Sequence, residues 1–305
     1  MTRYGGRYVV FLSLICIAIL GYLAQTTGLC MVRGVKEASS GKPMFLMAII
    51  LSGTLCWMAV GFAYFFDEGR HFTAFQPTLY SALGGFLFGL GAAFNSGCGV
   101  STVSRLARGE LVMLSTILGW FIAWVFFSSL IPSNVIGREV TLPHLYRYTA
   151  LIGLSILLVV FVWRLNREDK VLWASMLGIG VMAGLVFVYE PHWTPSGLLK
   201  DMSLSIWHQN DMKWPHFERF ALMSALIGGM VIAAIAKKSF EFRPSATKHY
   251  MRHLAAGILM GFGAVMAGGG NDSQLLVALP ALSPAGLVAV LSIIAGIFVG
   301  VRAGK

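Results

Sequence analysis

The sequence predicts an all-α integral membrane protein of about nine transmembrane helices, with short re-entrant helices and two inverted repeats in an hourglass-like arrangement. The mean hydropathy is +0.74, and only 12% of the 305 residues are charged. Apolar runs long enough to cross a bilayer recur along the chain, since about 20 apolar residues span the hydrocarbon core. In addition, one Gly-rich apolar stretch occurs twice, and each copy is followed by a break.

The charge distribution indicates a lipid bilayer as the surroundings of the chain. The net charge of +10 comes from Lys and Arg residues that cluster between the apolar runs, as the positive-inside rule expects. We therefore interpret the basic charge as a topology signal and predict no nucleic-acid partner. The four cysteines show neither CxxC nor zinc-site spacing, so we predict no disulfide scaffold and no metal. We also predict no cofactor.

Nine apolar segments are predicted to cross the membrane. The fourth ends before Pro132, because proline lacks the N–H group that a helix interior needs. The predicted spans are Tyr8–Ala24, Pro43–Phe66, Tyr80–Phe94, Leu111–Ile131, Tyr146–Trp163, Val171–Tyr189, Phe217–Ala236, Leu254–Ala267 and Gly286–Val301.

The stretch from Ser81 to Glu110 organises the rest of the chain. It begins as an apolar helix, breaks at Asn95–Gly99 and resumes as a short helix that starts near Ser101. Such a discontinuous membrane segment is tolerated only inside protein or against a water-filled cavity. Cys98 lies at the break, where the free N–H groups of a helix N-terminus can meet an anion.

This stretch is repeated in the second half of the chain. Residues 85–101 align with residues 257–273 at a constant offset of 172, and Gly89 then matches Gly261. Small residues on these helices predict close approach of another backbone. The copies differ at the centre, where Cys98 is replaced by Gly270. A shorter match pairs residues 25–30 with residues 194–199, which places Leu199 opposite Cys30.

The repeats predict an inverted topology. Spans one to four pair with spans six to nine, and span five connects them. Five spans separate equivalent positions, an odd number, so the two copies must run in opposite directions across the membrane. Inverted repeats with broken helices near the midplane are typical of transporters. The predicted units are residues 1–145, the connector 146–170, and residues 171–305.

Orientation follows from the distribution of basic residues. With these spans, 15 of the 23 Lys and Arg residues fall on the side that holds the C-terminus. The more basic side is cytoplasmic. We therefore expect a multi-pass protein of the bacterial inner membrane with an external N-terminus, although Arg3 and Arg7 oppose this locally.

The residues at the breaks resemble the YeeE/YedE family of sulfur-compound transport proteins. The resemblance rests on Gly-Leu-Cys at 28–30, on the Gly-rich helix with Ser-Gly-Cys at 96–98, and on Gly-Glu at 109–110. It implies an hourglass of inverted repeats and uptake of a small sulfur-containing anion, such as thiosulfate, without enzymatic turnover. It also implies Cys30 and Cys98 as pathway cysteines and a small cytoplasmic TusA-like sulfur carrier as a partner.

The chain departs from the family pattern at the second break. A third family cysteine would fall there, where this chain reads Gly-Gly-Gly-Asn-Asp over 268–272. We expect Asn271 or Asp272 to supply the second-half contact. An intramembrane acid is a functional candidate by default, but Asp272 can equally cap the short helix that follows. The predicted pathway residues are Cys30, Ser96, Gly97, Cys98, Gly99, Gly269, Gly270, Asn271 and Asp272.

Other candidate residues have simpler interpretations. Cys16 and Cys56 lie in apolar helices and are predicted to pack. Arg105 and Arg108 are predicted to set topology rather than bind substrate. A loop rich in histidine and aspartate is interpreted as wet surface rather than a metal site, because its spacing is irregular. The loop residues are His192, His208, Asp211 and His216.

Two other functional classes stay open at this point. One is a membrane thiol oxidoreductase in which Cys30 and Cys98 form a redox pair. The other is a scaffold for a cytoplasmic sulfur carrier, which would dock on the basic loop Lys237–Arg252. Uptake in a strain that lacks the protein separates transport from both.

Overall fold

The computed structural model describes residues 3–65, 72–131, 137–141, 143–207 and 213–304. The predicted end of the second span at Phe66 lies outside these residues, as do His208 and Asp211 of the interpreted loop. Within the described residues the chain is helical apart from one two-stranded sheet, in which β1 (Ala74–Phe75) pairs antiparallel with β2 (Glu139–Val140).

The helices follow the predicted spans closely. They are α1 (Arg3–Thr27), α2 (Met31–Ser39), α3 (Met44–Ile50), α4 (Cys56–Phe65), α5 (Leu79–Phe94), α6 (Gly99–Ala107), α7 (Met113–Phe127), α8 (His144–Trp163), α9 (Arg167–Tyr189), α10 (Pro195–Ile206), α11 (Phe217–Ala236), α12 (Thr247–Ala267), α13 (Asn271–Ser273) and α14 (Pro284–Ala303). A 3-10 turn at Ser52–Leu55 joins α3 to α4, and a π-helical turn at Gln274–Ala278 follows α13.

The membrane class is confirmed by the length and composition of these helices. Eight segments among the described residues are long and apolar enough to cross a bilayer. The ninth predicted span is α7, which is apolar but has only 15 residues. At 1.5 Å per residue that is about 22 Å of helix, less than the hydrocarbon thickness. The structure therefore describes an all-α membrane protein with eight full candidate spans and one short one.

Three of the helices stop at residues in the left-handed backbone region. Gly28 follows α1 at φ +65°, Ser96 follows α5 at φ +55°, and Gly268 follows α12 at φ +76°. Glycine adopts this region without steric cost and ends many helices. A short helix begins three residues after each stop, so α1–α2, α5–α6 and α12–α13 are interrupted segments, as the break at residues 95–99 predicts.

The predicted match between residues 25–30 and residues 194–199 is wrong in register. Gly28 lies outside helix α2, whereas Gly197 is the third residue of α10. The helix starts pair Met31 with Pro195 instead, an offset of 164 rather than 169. By position, therefore, Thr194 and not Leu199 corresponds to Cys30, because both residues cap the short helix that follows them.

Backbone packing between long helices matches the predicted small-residue faces. α5 packs mainly against α14 and α12, and α12 packs against α7. A Cβ atom at Gly89 would lie 2.2 Å from the Ile293 carbonyl oxygen, and one at Gly261 would lie 2.6 Å from the Trp120 carbonyl oxygen. At the level of whole helices the packing exchanges between the halves, since α5 lies against α14 as α12 lies against α7, which is the pattern that two repeats would produce. The unit boundaries stay a prediction.

Helix α8 lies at the periphery. Only 17% of its apolar 18-residue stretch is buried, a smaller share than in any other candidate span of the described chain. It packs on α9 and on the 3-10 turn that follows α3. This position suits the connector that the sequence predicts between the two halves.

The close packing generates a first prediction. Replacing Gly89 or Gly261 by leucine places a side chain where a backbone carbonyl lies, and overpacking costs about 1–3 kcal/mol or more. We expect both variants to lower the thermal unfolding midpoint of the purified protein. Gly153→Leu is the control, because a Cβ there meets nothing within 4 Å. Unfolding midpoints equal to that of Gly153→Leu would show that these contacts are not tight.

Candidate functional site

The N-termini of four short helices lie together at the centre of the structure. Their N-cap residues are Cys30 for α2, Cys98 for α6, Thr194 for α10 and Gly270 for α13. The first N–H groups of a helix have no partner within the helix. Inside a membrane protein they must find one nearby or remain unsatisfied at a cost of several kcal/mol.

Three hydrogen bonds join these helix starts in a row. The Met31 N–H donates to Cys98 Sγ at 3.4 Å, and the Gly99 N–H donates to Asn271 Oδ1 at 3.1 Å. The Ser196 N–H donates to Asp272 Oδ2 at 2.8 Å. We call these three bonds the central row. It links α2 to α6, α6 to α13, and α13 to α10.

The middle bond lies where the two halves meet. Gly99 and Asn271 are separated by 172 residues, the offset that aligns the two Gly-rich stretches. Each residue thus bonds its own counterpart in the other half. Gly97 and Gly269, which flank the breaks, are also equivalent: an added Cβ would approach Ser101 in the first half and Ser273 in the second, at 2.7 and 2.9 Å.

The two predicted pathway cysteines are neighbours in the structure. The Cys30 side chain lies beside the Cys98 thiol, and both thiols are free. Cys98 is only 1% exposed, whereas Cys30 is half-buried. The Ser101 hydroxyl donates to the Cys98 carbonyl oxygen at 3.0 Å and lies 3.6 Å from its sulfur. The structure therefore brings both thiols to the helix starts.

Trp120 of α7 explains why both breaks need glycine. A Cβ at Gly99 would lie 2.7 Å from the Trp120 ring, and a Cβ at Gly270 would lie 2.8 Å from it. The indole is 1% exposed and packs edge-on against Phe88. One buried ring thus covers the breaks of both halves, and only residues without a Cβ fit beneath it.

The two carboxylate oxygens of Asp272, at the second break, have different surroundings. Oδ2 accepts the Ser196 N–H, while Oδ1 is buried without a hydrogen-bond partner among the described residues. The next residue, Ser273, shares hydrogen bonds of 2.8 and 2.7 Å with the hydroxyls of Thr194 and Ser196. The Asp272 carboxylate therefore accepts an N–H from the first turn of α10, as the Cys98 sulfur accepts one from the first turn of α2.

Two open cavities flank the central row. The first, which we call the basic mouth, has about 480 Å³ and is lined by residues that include Ser96, Lys36, Arg252 and Arg302. The second, which we call the serine mouth, has about 280 Å³ and reaches Ser273. Among the predicted pathway residues, Ser96 lies in the basic mouth and not at the row.

The mouths open at opposite ends of the same helices. The serine mouth includes Phe75, just before α5, and Gly268, just after α12. The basic mouth includes Ser96, just after α5, and Arg252, near the start of α12. A third, small apolar cavity of about 20 Å³ touches Asp272. The two mouths are thus separate cavities at opposite ends of α5 and α12.

Sequence reasoning missed the polar hub at Asn95. Its Nδ2 donates to the Gly97 carbonyl oxygen at 2.9 Å and to Thr102 at 2.8 Å. Its Oδ1 accepts from the Thr116 hydroxyl at 2.7 Å and meets His253 Nδ1 at 2.6 Å. The available signal was an Asn directly after an apolar membrane helix, since an amide that becomes buried there needs partners. Asn95 fixes the first break to α6, α7 and α12.

The remaining candidates have structural roles. Arg105 pairs with Glu110 at 2.7 Å and donates to the Asn95 carbonyl oxygen at 3.2 Å, so it closes the end of α6. His192 meets Asp201 at 2.8 Å. Cys16 is buried among apolar residues of the core, as predicted.

Cys56 makes one polar contact that the packing interpretation does not include. It is fully buried, and its thiol donates to the Leu276 carbonyl oxygen at 3.6 Å. Leu276 lies in the π-helical turn that follows α13, so Cys56 supports that turn from α4.

Interrupted helices whose starts converge between two water-accessible mouths define a multi-pass helical transport protein. The comparison with protein families then gives the particular family. The model of the sulphur transport family matches residues 29–175 and again residues 161–299. The chain belongs to this family and is a sulfur-compound transporter, and the resemblance inferred from the breaks is confirmed.

Two curated relatives extend over most of the chain. It is 22% identical to the thiosulfate transporter TsuA of Escherichia coli (strain K12), over 95% of this chain and 93% of that protein. It is 26% identical to the thiosulfate transporter TsuA of Spirochaeta thermophila, over 70% of this chain and 74% of that protein.

The thiol geometry generates a second prediction. Dibromobimane becomes fluorescent when it links two neighbouring thiols, so the purified parent protein should fluoresce after treatment. Cys30→Ala and Cys98→Ala should each abolish the signal, because each removes one of the two adjacent thiols. Cys16→Ala, which leaves that pair intact, should retain the signal. Fluorescence that persists in Cys98→Ala would show that the reagent links two other thiols, and not Cys30 with Cys98.

Proposed function

We propose that the protein takes up a small sulfur-containing anion, such as thiosulfate, through a narrow central pathway lined by Cys30 and Cys98. The observation that carries this proposal is the convergence of four helix N-termini around adjacent thiols. The names of the relatives, both thiosulfate transporters, support the same substrate class. The further pathway residues are Gly99, Gly270, Asn271 and Asp272, which surround the central row.

The chemistry of the centre suits a sulfur anion that must pass rather than stay. Helix N-termini offer N–H groups and a positive dipole end to the oxygens of a sulfonate-like group. A thiol is a weak donor and a soft, polarizable neighbour for the terminal sulfur. No Lys or Arg side chain of the described chain makes a hydrogen bond or ion pair with the central row, which favours binding weak enough for release. The proposed role is transport without bond making or breaking.

The proposal also includes a topology in which the two halves of the chain are inverted repeats. The exchange of helix contacts between the halves and the two matches of the family model support units at residues 1–145 and 171–305, joined by residues 146–170. With the C-terminus cytoplasmic, the basic mouth faces the cytoplasm and the serine mouth faces outward. We place the protein in the bacterial inner membrane on the same grounds of charge distribution.

A TusA-like sulfur carrier stays a proposed partner on the cytoplasmic side. The basic loop Lys237–Arg252 is attached to the end of α6, where the Glu241 N–H donates to the Arg108 carbonyl oxygen at 2.9 Å. A carrier docked on this loop would therefore contact the segment that follows Cys98 and would receive the anion as it leaves the basic mouth.

The adjacency of Cys30 and Cys98 also favours a second candidate, a membrane thiol oxidoreductase. Such an enzyme would form and break a Cys30–Cys98 disulfide in each cycle. Trapping both thiols by rapid alkylation during uptake distinguishes the two functions, because a transporter keeps both thiols reduced throughout.

Thiosulfate uptake tests the proposal directly. In a strain without its own uptake system, the parent protein should restore growth on thiosulfate as sole sulfur source. Cys98→Ala should abolish uptake, because the substrate loses its soft contact at the narrowest point. Cys30→Ala should reduce it less, since Cys30 is more exposed. Membrane levels should equal those of the parent.

Cys16→Ala is the matched control and should transport normally, since Cys16 lies in the interior of α1, well before the break that precedes Cys30. If Cys98→Ala transports as well as the parent, the thiol does not take part and the cysteine pathway is refuted.

Asp272 gives an independent prediction. Asp272 lines the small apolar cavity, its Oδ1 has no hydrogen-bond partner among the described residues, and a carboxylate there repels an anion. Asp272→Asn keeps an oxygen for the Ser196 N–H and removes the charge, so uptake should become faster. Initial rates of labelled thiosulfate uptake measure this. Lost uptake in a protein that retains the parent's unfolding midpoint would instead mean that the acid itself is needed, for example to carry a proton.

A further inference from the structure

Each of the two mouths is lined by a lysine that neither the sequence motifs nor the proposed cysteine pathway explains. Lys36 lines the basic mouth and Lys200 lines the serine mouth. Each is the sixth residue of its short helix, since α2 begins at Met31 and α10 begins at Pro195. Lys36 and Lys200 are thus equivalent residues, one at each end of the route.

The charge of Lys200 is not cancelled within its mouth. The one acid that lines this cavity among the described residues is Asp201, and Arg219 takes up its charge through a 2.5 Å hydrogen bond. Arg219 is 8% exposed and forms a buried ion pair with Asp201. Lys200 is therefore the uncompensated charge at the serine mouth.

The basic mouth has the same sign of charge. No described acid lines it, and two of its three cations have other contacts. Arg252 donates to the Phe94 carbonyl oxygen at 3.3 Å, and Arg302 lies over the Phe298 ring at 4.0 Å. The Lys36 ammonium has no such contact among the described residues and is exposed.

A general structural role does not account for both residues. Lysine in the last turn of a helix complements the dipole, which fits Lys36 in α2. Lys200, however, lies in the middle of the 12-residue helix α10, where that effect has faded. What the two positions have in common is an open cavity that each lysine lines, one at either end of α5 and α12.

We propose that Lys36 and Lys200 form a pair of anion-recruiting sites, one for each mouth, which concentrate the sulfur anion before it enters the centre. This inference rests on the proposed function. A cleft lined by one sign of charge raises the local concentration of an opposite ligand and its association rate by about ten- to a thousandfold. Lysine suits this task because it is a flexible point charge that holds an anion less firmly than a bidentate arginine.

Sided transport assays test the pair. The parent protein is reconstituted in liposomes with one orientation selected, and labelled thiosulfate flux is measured from each side. Lys200→Gln should raise KM about tenfold for entry at the serine mouth alone, and Lys36→Gln should do so for entry at the basic mouth alone. Lys200→Arg and Lys36→Arg should restore most of the affinity. Maximal rates should change little.

Matched controls are exposed lysines nearby that line neither cavity. These are Lys213 for the serine mouth and Lys42 for the basic mouth, and their glutamine variants should behave as the parent. High salt should reduce the difference between parent and variant, since it screens exposed charges.

The proposal is overturned if the glutamine variants keep the parent KM from both sides, or if each changes KM equally from both sides. If the parent protein itself carries no thiosulfate, the proposed function fails. If the parent carries thiosulfate but the lysine variants behave as it does, only the recruiting role of the lysines fails.

Discussion

The structure depends on one constraint: helices that begin inside a membrane protein expose N–H groups that water does not reach. Three side chains meet this need at the centre, Cys98, Asn271 and Asp272, and each accepts an N–H from a different short helix. Because each bond joins two helices, satisfying the backbone also fixes how the short helices meet. In the proposed pathway, the groups that hold the fold together at the centre would also be those that a passing anion meets.

The two halves solve this shared problem with different chemistry. The first half uses a thiol at the start of α2, and the second uses a carboxylate at the start of α10. A soft neutral group and an acid interact differently with an anion, so the proposed route would be asymmetric in its interactions at the two breaks. The equivalent lysines, Lys36 and Lys200, keep the symmetry at the mouths, where the charge meets water.

Tight helix contacts make the narrow centre possible. Glycines of α5 and α12 bring backbones so close that no side chain fits between them, and Trp120 then seals both breaks. Without hydrophobic driving force between helices in lipid, such packing supplies much of the association energy. Glycines and one large aromatic residue thus form a closely packed frame around the central row.

The sequence by itself determined the membrane class, the spans and the two breaks, because hydropathy and glycine spacing are local signals that act along one helix. It also singled out Cys30, Cys98, Asn271 and Asp272. Only the tertiary structure decided which partners they have, since the bonds from Met31 to Cys98 and from Ser196 to Asp272 cross 67 and 76 residues. The match at residues 194–199 failed for the same reason: a short glycine pattern cannot fix register, whereas the start of a helix in space can.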